Sequence, residues 1–204
     1  MNVLFIDTSY DFILVSIHSI QNQVETSYSF KETLPRESSF RLVSEISIAM
    51  EKACIQKFDA VACCVGPGSF TGIRIGVSTA RNLSQLWKIP ILGINSLELY
   101  TCYYYEVYKK NIQILLNGKQ SKLFTTIYDG KFNLVSDIKL SQIDLNIPDL
   151  INITDLENIE NSISIYQNLP EASSYFKKKQ TSLNFISDYE KIIPNYMRES
   201  YAKK

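Results

Sequence analysis

A chain of 204 residues with one histidine, His18, cannot build a site that needs two. That excludes the paired-histidine zinc motifs, H-E-x-x-H among them. His18 itself falls in an alternating apolar run and reads as a strand-face residue, not a catalytic one. The four cysteines, Cys54, Cys63, Cys64 and Cys102, include no C-x-x-C pair, which argues against a zinc knuckle and against a disulfide framework. No apolar run reaches the roughly 18 residues of a membrane span. Met1-Asn2-Val3-Leu4-Phe5-Ile6-Asp7 lacks the basic and apolar regions of a secretory leader, so the expected location is the reducing cytoplasm, with no membrane contact. Net charge is missing too, since 21 lysines and arginines balance 21 aspartates and glutamates. A protein that grips a phosphate backbone alone needs a basic stripe. The lysine runs Lys109-Lys110, Lys177-Lys178-Lys179 and Lys203-Lys204 read as solvated surface.

Glycine is also scarce, but four of the seven crowd into Gly66-Pro67-Gly68-Ser69-Phe70-Thr71-Gly72-Ile73-Arg74-Ile75-Gly76. Ala60 to Val65 ahead of it is a short apolar run that reads as a buried strand, and Gly66-Pro67-Gly68 breaks it sharply. A helix is expected over Ile73 to Gln85, capped by Ser69 or Thr71. Phosphate-loop chemistry fails on the residues. Thr71 and Ile73 stand where a Walker loop needs its second glycine, no lysine follows either, and Thr71 also replaces the third glycine of the dinucleotide fingerprint. Gly72, Gly76 and Ala80 recur every four residues as a smooth ridge, which invites a second helix to approach closely. Ile73 and Val77, then Leu83 and Trp87, form another face suited to cover a sheet. A helix with two such sides is expected to bury one of them in a partner.

With 45% of its residues apolar, the chain can bury a sizeable core. Val3 to Ile6, Phe12 to His18 and Val24 to Phe30 read as three antiparallel strands. Phe40, Val43, Ser47, Met50 and Cys54, flanked by Leu42, Ile46, Ala49 and Ala53, give a broad apolar stripe on a helix from about Ser39 to Lys57. The strand at Ala60 to Val65, the glycine-rich helix and Ile91 to Ile94 form a parallel strand-helix-strand unit. Ser96 can cap a helix running to about Tyr108, whose tyrosines Tyr103, Tyr104, Tyr105 and Tyr108 are read as packing residues. Ile112 to Leu116 and Leu123 to Tyr128 pair around a turn at Asn117-Gly118, and Phe132 to Val135 returns after Asp129-Gly130. From Asp137 to about Lys191 only one strand, in Ile153 to Ser164, and a short helix at Glu171 to Lys178 are read.

The glycine-rich run, Ile6-Asp7-Thr8-Ser9, Leu92-Gly93-Ile94-Asn95-Ser96-Leu97 and Pro194-Asn195-Tyr196-Met197-Arg198 together resemble the bacterial tRNA threonylcarbamoyladenosine biosynthesis family TsaB, also called YeaZ-like, a non-catalytic paralogue of TsaD. The resemblance is dense up to about Leu97. It implies an actin-like, ribonuclease-H-like α/β fold of two lobes with mixed sheets and flanking helices. The expected division is a lobe at 1–96 carrying the signature and a smaller lobe at 97–204. It further implies a scaffold role, in which helices Ser39 to Lys57 and Thr71 to Gln85 dock on a TsaD-like catalytic subunit. The expected interface residues are Gly68, Phe70, Thr71, Gly72, Ile73, Gly76, Val77, Ala80, Val43, Ile46 and Met50.

A TsaE-like ATPase is the implied third member, tRNA is met only through the complex, and a homodimer is the implied resting state. That complex modifies the adenosine beside the anticodon of tRNAs that read codons beginning with adenine. The resemblance implies no catalytic residue and no metal here, since TsaD's His-x-x-x-His ligand pair cannot be made. Asp7, Thr8 and Ser9 sit where actin-like ATPases hold Mg²⁺ and phosphates, so residual binding of ATP or ADP is a second expectation, although Tyr10 replaces the loop glycine. A metal-independent transferase acting alone and a direct tRNA-binding module are the other readings. Arg36-Glu37-Ser38-Ser39-Phe40-Arg41-Leu42 and Asn117-Gly118-Lys119 depart from the family pattern.

Overall fold

The computed structural model describes residues 1–118, 123–129, 131–141, 150–156, 159 and 162–196. Strand β1 (Asn2–Asp7) is apolar from Val3 to Ile6 and both its faces are buried, which places it at the centre of a sheet. β2 (Phe12–Ile20) and β3 (Val24–Thr33) follow as antiparallel neighbours across short turns. β4 (Ala60–Gly66) pairs parallel with β1, and β5 (Ile91–Asn95) pairs parallel with β4. The order is β3-β2-β1-β4-β5.

Alternation along these strands decides what each face receives. Leu4, Ile6, Ile13, Val15, Val61 and Cys63 pack beneath helices α1 (Ser38–Lys52) and α2 (Phe70–Trp87). Val3, Phe5, Phe12, Leu14, Ala60, Ala62 and Cys64 meet α3 (Ser96–Tyr108) and α4 (Ala172–Lys179) on the other side. α1 has no side-chain cap at Glu37. Its buried Leu42 and Ile46, at roughly 1.5–3 kcal/mol each, outweigh the ~1 kcal/mol that a cap would add.

α3 is also covered on its far side by the second sheet, where Ile112, Ile114, Leu116 and Phe124 pack against it. That sheet joins β6 (Asn111–Asn117), β7 (Leu123–Tyr128), β8 (Leu134–Ser141), β9 (Leu150–Thr154) and β10 (Ser162–Ser164) in the order β10-β9-β6-β7-β8. The predicted pairing of β6 with β7 is present, and most of its connection lies outside the described residues. Two strands, β9 and β10, stand where one was read.

Two local expectations are corrected, and one choice between two residues is settled. α1 stops at Lys52, because Cys54 turns into the left-handed region at φ 54° and redirects the chain so that Phe58 stacks on Trp87. The cap of α2 is Ser69, whose hydroxyl accepts from Gly72 N, while Thr71 lies within the first turn. The cap of α3 is Asn95, which accepts from Leu97 N and Glu98 N; Ser96 is helical and its hydroxyl donates elsewhere. Among the described residues no helix is long and apolar enough to cross a membrane.

Candidate docking face and the buried carboxylate

Asp7 ends β1 with no exposed surface. Its Oδ1 accepts from Ser9 N at 2.8 Å and from Ser9 Oγ at 2.6 Å, the local turn that an aspartate at a strand end forms readily. Its Oδ2 accepts from Tyr100 OH at 2.8 Å, a hydroxyl delivered by α3. Ser96 Oγ donates to Ser9 Oγ at 3.1 Å and extends the network. Burial raises the carboxyl above its ordinary range, and the hydrogen bonds from Ser9 and Tyr100 lower it only in part. A hydrated Mg²⁺ needs carboxylate oxygens open to it. Here both are covered by hydroxyls, and Thr8 and Ser9 are as buried as Asp7, so the place expected to cradle phosphates is filled by the chain's own α3 and signature loop. Asp7 thus ties β1 to α3.

The signature loop explains its glycines by contact. Ser69 N donates to Ser9 O at 2.6 Å, which brings Gly68 against the same carbonyl. Gly66 adopts φ +105° with Asn195 O close to where a side chain would start. A Cβ on Gly72 would run into Thr8 O, and one on Gly76 would lie 2.6 Å from Thr8 Oγ1. Thr8 Oγ1 in turn donates to Gly72 O at 2.7 Å. Gly72 and Gly76 of the smooth ridge are therefore filled by Thr8 at the end of β1 and Ala80 is buried in the core of the same chain, which corrects the expectation that the ridge receives a second helix. Ile73, Val77 and Ile46 are core residues under α1 and α2 and present no surface to a partner.

What remains outside is the opposite side of the same two helices, which touch each other. Of the expected interface residues, Val43 and Thr71 are exposed, while Gly68, Phe70 and Met50 are half-buried. Phe40, 83% exposed, and Val43, 65% exposed, stand out from α1, and Leu86, 74% exposed, stands out from the last turn of α2. The sequence did carry a signal for them. Once Leu42, Ile46 and Ala49 are assigned to the sheet, Phe40 and Val43 cannot share that face at 3.6 residues per turn. At the start of α2, the Arg74 guanidinium stacks 3.8 Å over the Phe70 ring and donates through Nε to Tyr196 OH at 2.8 Å.

The other sequence candidates are engaged internally. His18 is buried between Ser16 Oγ at 2.7 Å and Thr26 Oγ1 at 3.1 Å, and burial followed by repulsion from Lys177 brings it down to about 4. Tyr103 OH and Tyr104 OH donate to Asn168, which fits the packing reading of that helix. Lys179 pairs with Glu98 at 2.6 Å, and Lys178 lies over Phe132 and Tyr105, so this run covers the α3 region. Lys119, Met197, Arg198, Lys203 and Lys204 lie outside the described residues. Among the described residues no group of three histidine, cysteine, aspartate or glutamate side chains is placed to hold a metal.

Residues 18–144 match the family described as TsaD: tRNA N6-adenosine threonylcarbamoyltransferase. The chain is 32% identical over 125 residues to the tRNA threonylcarbamoyladenosine biosynthesis protein TsaB of Buchnera aphidicola subsp. Schizaphis graminum, covering 60% of this chain and 58% of that protein. It is 28% identical over 149 residues to the tRNA N6-adenosine threonylcarbamoyltransferase of Neorickettsia sennetsu, covering 66% of this chain and 45% of that one. It thus spans less than two thirds of the length of these curated relatives. In structure it resembles YeaZ from Pseudomonas aeruginosa with a TM-score of 0.77 at 17% identity, over 96% of this chain and 99% of the other. The fold is the actin-like, ribonuclease-H-like α/β fold.

Proposed function

The chain belongs to the TsaD family as a TsaB/YeaZ-like member, and from that premise we propose that it serves threonylcarbamoyladenosine formation on tRNA as a non-catalytic subunit docked to a TsaD-like transferase. The observation that carries this reading is the outer face of α1 and α2, where Phe40, Val43 and Leu86 stand exposed on helices whose other sides are fully used. Exposed aromatic and aliphatic side chains on rigid helices are the material of an interface core. The site at Asp7 supports a structural role for the same reason, since its oxygens are committed to Ser9 and Tyr100. Chemistry then belongs to the partner, and this chain acts by binding the partner's competent conformation preferentially.

On this reading tRNA is met only through the complex, a TsaE-like ATPase is the third member, and any ATP or ADP with Mg²⁺ belongs to the assembled complex. A second copy of this chain covers the same face when the transferase is absent, because one surface can meet itself across a twofold axis. Depleting the chain in its own cell and measuring threonylcarbamoyladenosine in digested tRNA by mass spectrometry tests the proposal. Loss of the nucleoside is expected, and purified transferase that needs this chain for turnover would complete the case. Undiminished nucleoside would remove the chain from the pathway.

A further inference from the structure

The segment after α4 returns along the edge of the first sheet and straps α2. Ile186 bridges Ile91 of β5, Ile192 lies over Gly93, and Asn195 N donates to Val65 O at 2.6 Å. Two contacts along this strap match in spacing. Tyr196 holds Arg74, and Tyr189 faces Arg81 at 6.0 Å. Each pair is seven residues apart, so the arginines lie on one edge of α2, about 10 Å apart at 1.5 Å per residue. Arg74 is the better fixed, with a ring across one face and Nε occupied, which leaves the terminal nitrogens of the guanidinium as a preset fork. Among the described residues neither arginine has a carboxylate partner.

The charge of the two-helix face is lopsided. α2 contains these two arginines and no aspartate or glutamate. Around α1, Glu45 is buried against Arg41 at 2.6 Å and Glu37 approaches the same arginine at 3.8 Å, which leaves Glu51 as the remaining acid of α1. We propose that Arg74 and Arg81 form a charged rim that selects a partner protein presenting two carboxylates about 10 Å apart, and that disfavours a second copy of this chain. The inference rests on the docking reading above. A second copy brings two more arginines and Lys52 to the interface against Glu51 of its α1 and Glu190 of its strap, so the basic excess is repeated and not neutralised. Like charges brought together cost specificity, so the rim separates partners more than it adds raw affinity.

The test uses the full chain and the threonylcarbamoyltransferase of the same genome as the probe, with self-association and hetero-association each measured by sedimentation at low and high salt. Arg74→Gln combined with Arg81→Gln is expected to weaken binding to the transferase roughly tenfold at low salt and leave self-association unchanged or tighter. At ~1 M salt, where the screening length is ~3 Å, the difference should largely vanish. Equal weakening of both associations, weakening of self-association alone, or no change in either would overturn the rim. Phe40→Ser with Val43→Ser serves as the parallel variant. If it leaves both associations intact, or if the wild-type chain does not bind the transferase, the docking reading fails; if it weakens them while the arginine variant does not, only the rim fails.

Discussion

Replacing Gly76 with alanine separates two accounts of the signature helix by the sign of its effect. If the small-residue ridge were open to a partner, the isolated chain would gain, since alanine is about 1 kcal/mol better than glycine within a helix. Packed as it is, the new Cβ would meet Thr8 Oγ1 at 2.6 Å, well inside ordinary contact. Thr8 is buried and its hydroxyl is committed to Gly72 O, so it cannot swing away without losing that bond. Overpacking costs about 1–3 kcal/mol and an abandoned buried hydrogen bond ~1–3 kcal/mol more. Set against the helix gain, the net is a loss of roughly 1–5 kcal/mol. Gly72→Ala should be worse, because the obstacle there is the Thr8 carbonyl of the backbone. Urea unfolding followed by circular dichroism gives the values. A Gly76→Ala chain as stable as wild type, or more so, would refute the reasoning.

Tyr100→Phe strips one donor from the buried Asp7 carboxylate and should cost about 1–3 kcal/mol by the same urea measurement, with a negligible effect arguing that the hydrogen bond is idle. His18 titrates at about 4 in the fold against 6.5 when free, so below pH ~6.5 the unfolded chain takes up a proton that the native chain refuses. Its contribution to stability is therefore lost as the pH falls from ~6.5 to ~4, by up to ~3 kcal/mol. Asp7, raised in the fold, acts in the opposite sense, so the readout is wild type minus His18→Gln, and a difference that stays flat across that window would contradict the assignment.

The architecture was legible where one residue pattern admits one environment. Val3 to Ile6 can only be a strand buried on both faces, and Gly66-Pro67-Gly68 can only break one. The second sheet was harder, because β9 and β10 are short and their sequence has no clear alternation. The docking face was misplaced for a specific reason. Four-residue spacing of Gly72, Gly76 and Ala80 says that something approaches closely, and it cannot say whether that is a foreign helix or the end of β1. The answer required knowing that the turn at Thr8 folds under α2, a contact between residues 64 apart. Asp7 was legible as a turn former, whereas its partner Tyr100 was not, since nothing local marks one tyrosine of α3 as the one that reaches β1.

The central claim is that the outer face of α1 and α2, not any group inside the chain, carries the function. The most direct measurement replaces the chromosomal copy with the Phe40→Ser, Val43→Ser variant, confirms equal protein level and unchanged melting, and quantifies threonylcarbamoyladenosine in total tRNA. The account predicts that the nucleoside falls as it does on depletion of the whole chain. A normal level with the variant present and folded would contradict it.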